Sequence, residues 1–131
     1  FWGLAGVRLG FAILKAGPRA QLLRESLGPW PVSGPALAVG TAALNDPAWA
    51  EATRARLAAD AARLDALLTA HRASIVGGTP LFRLYAVDDA QAWHDRLARA
   101  HVLTRVFPYS RTWLRLGLPA PDRWAQLESA L

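Results

Sequence analysis

The chain has 131 residues, 53% of them hydrophobic and 19% charged, a composition that suits one globular domain with a real core and argues against disorder. Its net charge is +5, yet 14 of its 15 basic residues are arginines scattered from Arg8 to Arg123 among aspartates and glutamates, so the clustered footprint of a nucleic-acid binder is missing. The absence of cysteine excludes disulfides, thiol nucleophiles and cysteine metal sites and fits a cytoplasmic location, and no apolar run reaches the length of a membrane span.

The opening FWGLAGVRLGFAILKAG is apolar enough to resemble a signal peptide, but its arginine lies inside the apolar run and no basic stretch precedes it. With no initiator methionine, and no methionine anywhere, it reads as part of a longer polypeptide. Residues 4–14 are expected to form a buried strand entered from a tight loop. Pro18 opens and Gly28 closes a predicted helix at 18–27. The prolines and glycines of 28–35 break the pattern, and a short apolar helix follows at about 35–44. Asp46 and Pro47 are suited to the N-cap and first turn of a long helix at 47–72. Its broad apolar face carries Trp49, Leu57, Leu64, Leu67 and Leu68, flanked by Arg54, Arg56, Asp60, Arg63 and Asp65.

Beyond Gly77 and Gly78 the order expected is strand (81–85), helix (89–101), two strands near 103–107 and 112–118, and a closing helix from about 121. The division that follows is 1–46 as one unit, 47–72 as a linking helix and 73–131 as a small α+β domain. His71, His94 and His101 show no metal-ligand spacing and read as solvated surface residues.

Two constellations carry chemistry. In FWGLAGVRLG a glycine-bearing loop delivers Arg8 into the start of an apolar segment, where an unpaired guanidinium is costly. Its fork matches a phosphate or carboxylate, and a structural ion pair inside the core serves equally well on spacing alone. In HVLTRVFPYSRTWLRLGLP, Arg105, Arg111 and Arg115 lie close together. Alternation puts Trp113, Arg115 and Gly117 on one face of a strand, where an arginine covering a half-solvated sheet is the ordinary reading.

GLAGVRLG resembles the segment that follows the Schiff-base lysine in class I and II aminotransferases, pyridoxal 5'-phosphate (PLP) enzymes. The resemblance implies an α/β chain, the C-terminal portion of the PLP-dependent transferase fold: the end of the large domain, a long linking helix and a small α+β domain. It makes Arg8 a ligand of the PLP phosphate and puts the catalytic lysine immediately before Phe1, so that no catalytic residue lies in the chain itself. Leu103-Thr104-Arg105 and Trp113-Leu114-Arg115 match two arginine-bearing strand segments of the branch containing histidinol-phosphate aminotransferases and threonine-phosphate decarboxylases. That match makes Arg115 the clamp on a substrate α-carboxylate and Arg105 a contact for a distal phosphate; Arg111 has no counterpart and reads as loop surface. Ser33 replaces an asparagine of the branch's P-W-x-V segment, here Pro29-Trp30-Pro31-Val32.

The phrases GGTPLFRLY and WLRLGLP are most similar to the decarboxylases, which implies decarboxylation of L-threonine O-3-phosphate to (R)-1-aminopropan-2-yl phosphate in cobalamin biosynthesis. The alternatives are a histidinol-phosphate-type aminotransferase and, outside enzymes, a non-catalytic basic binding module. The partners expected are a small phosphorylated amino-acid substrate and a second copy of the chain in a homodimer, with neither nucleic acid nor membrane.

Overall fold

The computed structural model describes residues 1–131, an α/β chain of five α-helices, one 3-10 turn and a four-stranded antiparallel sheet. It divides into two compact units, Phe1–Ala50 and Glu51–Leu131.

The first unit is helical. Residues 4–14 form no strand; they hold a single 3-10 turn at Ala5–Val7 and then an irregular, exposed segment. An apolar run becomes a strand only when a neighbour satisfies its N–H and C=O groups, and all four strands of the chain lie from Ser74 onward. Phe11 is 72% exposed and Ile13 97%. Helix α1 (Pro18–Leu27) starts and stops where its proline and glycine place it, although it buries none of its residues. Helix α2 (Gly34–Leu44) is capped by Ser33, whose Oγ accepts from the Ala36 N–H at 3.3 Å, so this hydroxyl serves the helix end. Gly40 of α2 is buried under Leu9, and a Cβ there would require the leucine side chain to shift. Trp2 stacks on Trp49 at 5.0 Å between ring centres, with Phe1 edge-on to both.

Helix α3 (Pro47–Ala70) is capped by Asp46, whose carboxylate accepts from the Trp49 N–H at 2.9 Å. In the second unit Leu57, Ala61, Leu64 and Leu68 form the buried stripe of this helix at helical spacing. The helix ends two residues before the expected boundary, because Arg72 adopts a left-handed conformation (φ 68°). The Arg72 N–H reaches the Thr69 carbonyl and the Ala73 N–H the Leu68 carbonyl, the paired bonds of a Schellman cap. Helix α4 (Ala90–Arg99) begins at Asp89, which caps the Gln91 and Ala92 N–H groups. It ends in the same motif, with His101 at φ 59°.

The sheet order is β1-β2-β4-β3, with β1 Ser74–Thr79, β2 Phe82–Ala86, β3 Arg105–Phe107 and β4 Ser110–Gly117. Strand β1 was not expected, since Gly77 and Gly78 read as a break. They instead form part of a bulged edge strand, in which a Cβ on Gly78 would lie 2.5 Å from the Phe82 carbonyl oxygen. Alternation sends Tyr85, Leu114 and Leu116 to one face, where they join Leu64, Leu68, Leu97 and, from helix α5 (Trp124–Ala130), Trp124 and Leu127 in the core. Phe82, Leu84, Trp113, Arg115 and Arg105 occupy the opposite face. No helix is long and apolar enough to cross a membrane.

Candidate functional site

Arg105 and Arg115 are register partners in the β3–β4 ladder, and Leu84 of β2 extends the same row. Directly opposed residues have Cα atoms about 5 Å apart, so the two cationic side chains leave the sheet side by side. Arg115 is half-buried, with its guanidinium 4.9 Å from the Phe82 ring centre, and Arg105 is exposed, 5.7 Å from the Phe107 ring. Neither arginine forms an ion pair within the chain. Their guanidinium heads rest over different rings, Phe82 on β2 and Phe107 on β3, so the two charges are splayed to either side of the paired backbone positions. Each fork is left with N–H donors that an anion could accept from. Tyr109 and Trp113 border the pair, 6.3 Å apart and edge to face. The face thus presents two forks and an aromatic margin, suited to a small ligand with two anionic groups. Arg111 is exposed at the start of β4, apart from the opposed pair.

Arg8 belongs to the other unit. Contrary to the expectation of a costly buried charge, it is exposed and caps the 3-10 turn in a left-handed conformation (φ 57°), its Nη1 donating to the Ala5 carbonyl at 3.1 Å. A non-glycine residue held at positive φ is uncommon, and such conformations concentrate at functional sites. Only one of the guanidinium's five N–H groups is taken by that bond, and no carboxylate neutralises the charge. The turn borders a cavity of about 300 Å³ lined by Trp2, Leu4, Val7, Leu9 and Ala43.

Asp65, expected to be only a polar flank of α3, is where the structure differs most. Asp65 accepts a bidentate pair of hydrogen bonds from Arg83 (2.9 and 2.8 Å) and a third from the Tyr85 hydroxyl (2.8 Å), tying α3 to β2. Burial by itself raises the Asp65 carboxyl, but the bonds from Arg83 and Tyr85, with the charge of Arg83, outweigh it and hold its pKa below the ordinary value. Burial, reinforced by the neighbouring Asp65 carboxylate, pushes the Tyr85 phenol well above its usual range. This cluster holds the scaffold together beneath the arginine face. Its sequence signal was available: Arg83 and Tyr85 are two apart on a strand and so point the same way.

His94 also departs from expectation. It is half-buried, and its Nδ1 lies 2.8 Å from the hydroxyl of the buried Thr104.

A model of the family described as Aminotransferase class I and II matches residues 1–131. The chain belongs to that family. Members of the aminotransferase class I and II family are PLP-dependent enzymes. Among curated proteins the chain is 46% identical over 132 residues to a threonine-phosphate decarboxylase of Pseudomonas aeruginosa, covering 100% of the chain and 39% of that protein. It is 43% identical over 122 residues to a threonine-phosphate decarboxylase of Sinorhizobium sp., covering 93% of the chain and 35% of that protein. Identity to the histidinol-phosphate aminotransferase 2 of Rhizobium meliloti is 30% over 137 residues, 98% of the chain and 38% of that protein. The chain therefore spans a little over a third of the length of these aminotransferase-family relatives.

Proposed function

We propose that the whole protein decarboxylates L-threonine O-3-phosphate to (R)-1-aminopropan-2-yl phosphate in cobalamin biosynthesis, in the cytoplasm and as a homodimer. This chain would supply the end of the large domain, the linking helix and the small domain. The observation that carries the reading is the opposed pair Arg105–Arg115, two unneutralised forks on one face of the sheet. The greater identity to decarboxylases than to the aminotransferase supports the choice of reaction.

PLP, when bound, accepts the electrons of whichever Cα bond is held perpendicular to its ring. Arg8 suits its phosphate, being exposed, fixed at its own backbone and free of any carboxylate. On this reading Arg115 holds the α-carboxylate, with Phe82 beneath its guanidinium restricting where the fork can point. The direction in which the carboxylate is held decides which bond lies perpendicular to the ring, and hence whether carbon dioxide or a proton leaves. Arg105, one strand over, takes the distal phosphate. A ligand needs both anionic groups to use both forks, so the pair selects phosphorylated amino acids.

The deciding experiment is product analysis with the full-length, PLP-loaded protein. Carbon dioxide and (R)-1-aminopropan-2-yl phosphate from threonine phosphate are the expected products. Glutamate formed from 2-oxoglutarate and histidinol phosphate, without decarboxylation of threonine phosphate, would overturn the proposal in favour of the aminotransferase.

A further inference from the structure

Strand β3 is a poor platform for a residue that must aim a charge. It has three residues, lies at the sheet edge, and its register with β4 shifts after Val106. Edge strands of this kind fray unless something other than the ladder fixes them. Here the fixing comes from the face opposite Arg105. Thr104 and Val106 bracket the arginine in sequence, and alternation turns both away from it. Val106 packs against the core beside Leu114. Thr104 is one of only two buried polar side chains of the chain, and its one side-chain hydrogen bond is to His94 Nδ1 at 2.8 Å. His94 sits mid-way along α4, a helix anchored at its start by Asp89 and at its end by the Schellman bonds, and packed on both β3 and β4. The strand is thus pinned on both sides of Arg105, by an apolar contact after it and a polar one before it.

We propose that His94 is a positioning residue acting through Thr104: it sets the direction in which Arg105 leaves β3, and so the strength of the contact to the substrate's distal phosphate. The proposal rests on the assignment of Arg105 to that phosphate. His94 itself touches no substrate. Loss of its bond would leave a buried hydroxyl unpartnered and let the strand end rotate, which a single guanidinium fork does not tolerate without losing alignment.

The test uses the full-length, PLP-loaded enzyme and the ratio of kcat/KM for phosphorylated over unphosphorylated threonine. Thr104→Val keeps the shape of the side chain and removes the hydroxyl. It is expected to lower the ratio about fivefold, the equivalent of one net hydrogen bond, and to leave unphosphorylated threonine unaffected. His94→Ala is expected to do the same, and Thr104→Ser, which restores the hydroxyl, to return the ratio to within about twofold of wild type. In an Arg105→Ala background, Thr104→Val is expected to have no further effect on the ratio. A ratio that collapses in Arg105→Ala but is untouched by Thr104→Val overturns the positioning role alone. An effect of Thr104→Val that persists without Arg105 also overturns it, because the threonine would then act through another group. A ratio unchanged in Arg105→Ala overturns the phosphate assignment and the positioning role with it. Should His94→Ala fail to fold, the two threonine variants decide the matter.

Discussion

Arg105 and Arg115 face each other across the β3–β4 ladder with no carboxylate to separate their charges. Neither charge is neutralised by an ion pair within the chain, so stability and activity at the site are expected to separate on mutation. Arg105→Gln is expected to leave the thermal midpoint of the unliganded protein unchanged or to raise it, by the equivalent of up to about 0.5 kcal/mol, while activity on threonine phosphate falls. Arg115→Ala is expected to cripple turnover of phosphorylated and unphosphorylated amino acids alike. Thermal unfolding alongside kcat/KM checks both; a clear loss of stability in Arg105→Gln would mean that the pair is structural.

Arg8 is expected to matter for the cofactor more than for the fold. Arg8→Ala weakens PLP binding by about 1.5–3 kcal/mol, the value of a charge-assisted hydrogen bond, in a titration of the apoprotein. Arg8→Gly removes the same charge and relieves the left-handed backbone. Equal PLP affinity in wild type and in both variants would remove Arg8 from the site.

The Asp65–Arg83–Tyr85 cluster gives a pH signature. The folded-state pKa of Asp65 lies below its unfolded value, so its contribution is fully present above the unfolded pKa of about 3.9 and is lost as pH falls through the folded value. Asp65→Asn is expected to cost about 1–3 kcal/mol at neutral pH, because Arg83 loses its charged bidentate partner. The gap between the two proteins should narrow only below about pH 4. Tyr85→Phe removes one of the three bonds and is expected to cost about 1 kcal/mol. Denaturant titrations across acid pH measure all three quantities; a gap independent of pH would show that the carboxylate charge is not what matters.

Helices α3 and α4 both end on a non-glycine residue in the left-handed region, Arg72 and His101. Glycine is expected to stabilise either position by about 0.5 kcal/mol, since the strain removed exceeds the added freedom of the unfolded chain. A lower thermal midpoint in both variants would show that the two side chains contribute contacts outweighing their strain.

The homodimer is proposed for the full-length protein, of which the first unit, with Trp30, Phe11 and Ile13 exposed, is read as only the end of the large domain. Sedimentation of the full-length protein is expected to give twice the mass of one chain. A well-behaved monomer would refute it.

Most helices were legible in the sequence because their punctuation is local. Pro18 and Gly28, Asp46 and Pro47, and Asp89 each act within one turn of themselves. The errors fell where the outcome depends on distant partners. Residues 4–14 have the texture of a buried strand, but no strand is available in the chain to pair with them. Gly77 and Gly78 look like a break until Leu84 and Arg83 pair with them. At the site, alternation correctly placed Trp113 and Arg115 on one face. Their sharing of that face with Arg105 was not legible, because it depends on the register of a hairpin. The partners of Asp65 and His94 lie 18 to 20 and 10 residues away in sequence, beyond the reach of any helical or strand period.

Both margins of the sheet are poor templates for another chain. The run of β1 is interrupted by its bulge between Ile75 and Gly77, and β3 offers only three residues. A nascent or partly assembled molecule could therefore carry an uncovered, arginine-bearing face without recruiting neighbours strand to strand. The open face and the blunted edges belong together: an uncovered face is tolerable in a crowded cell only when the backbone beside it cannot propagate.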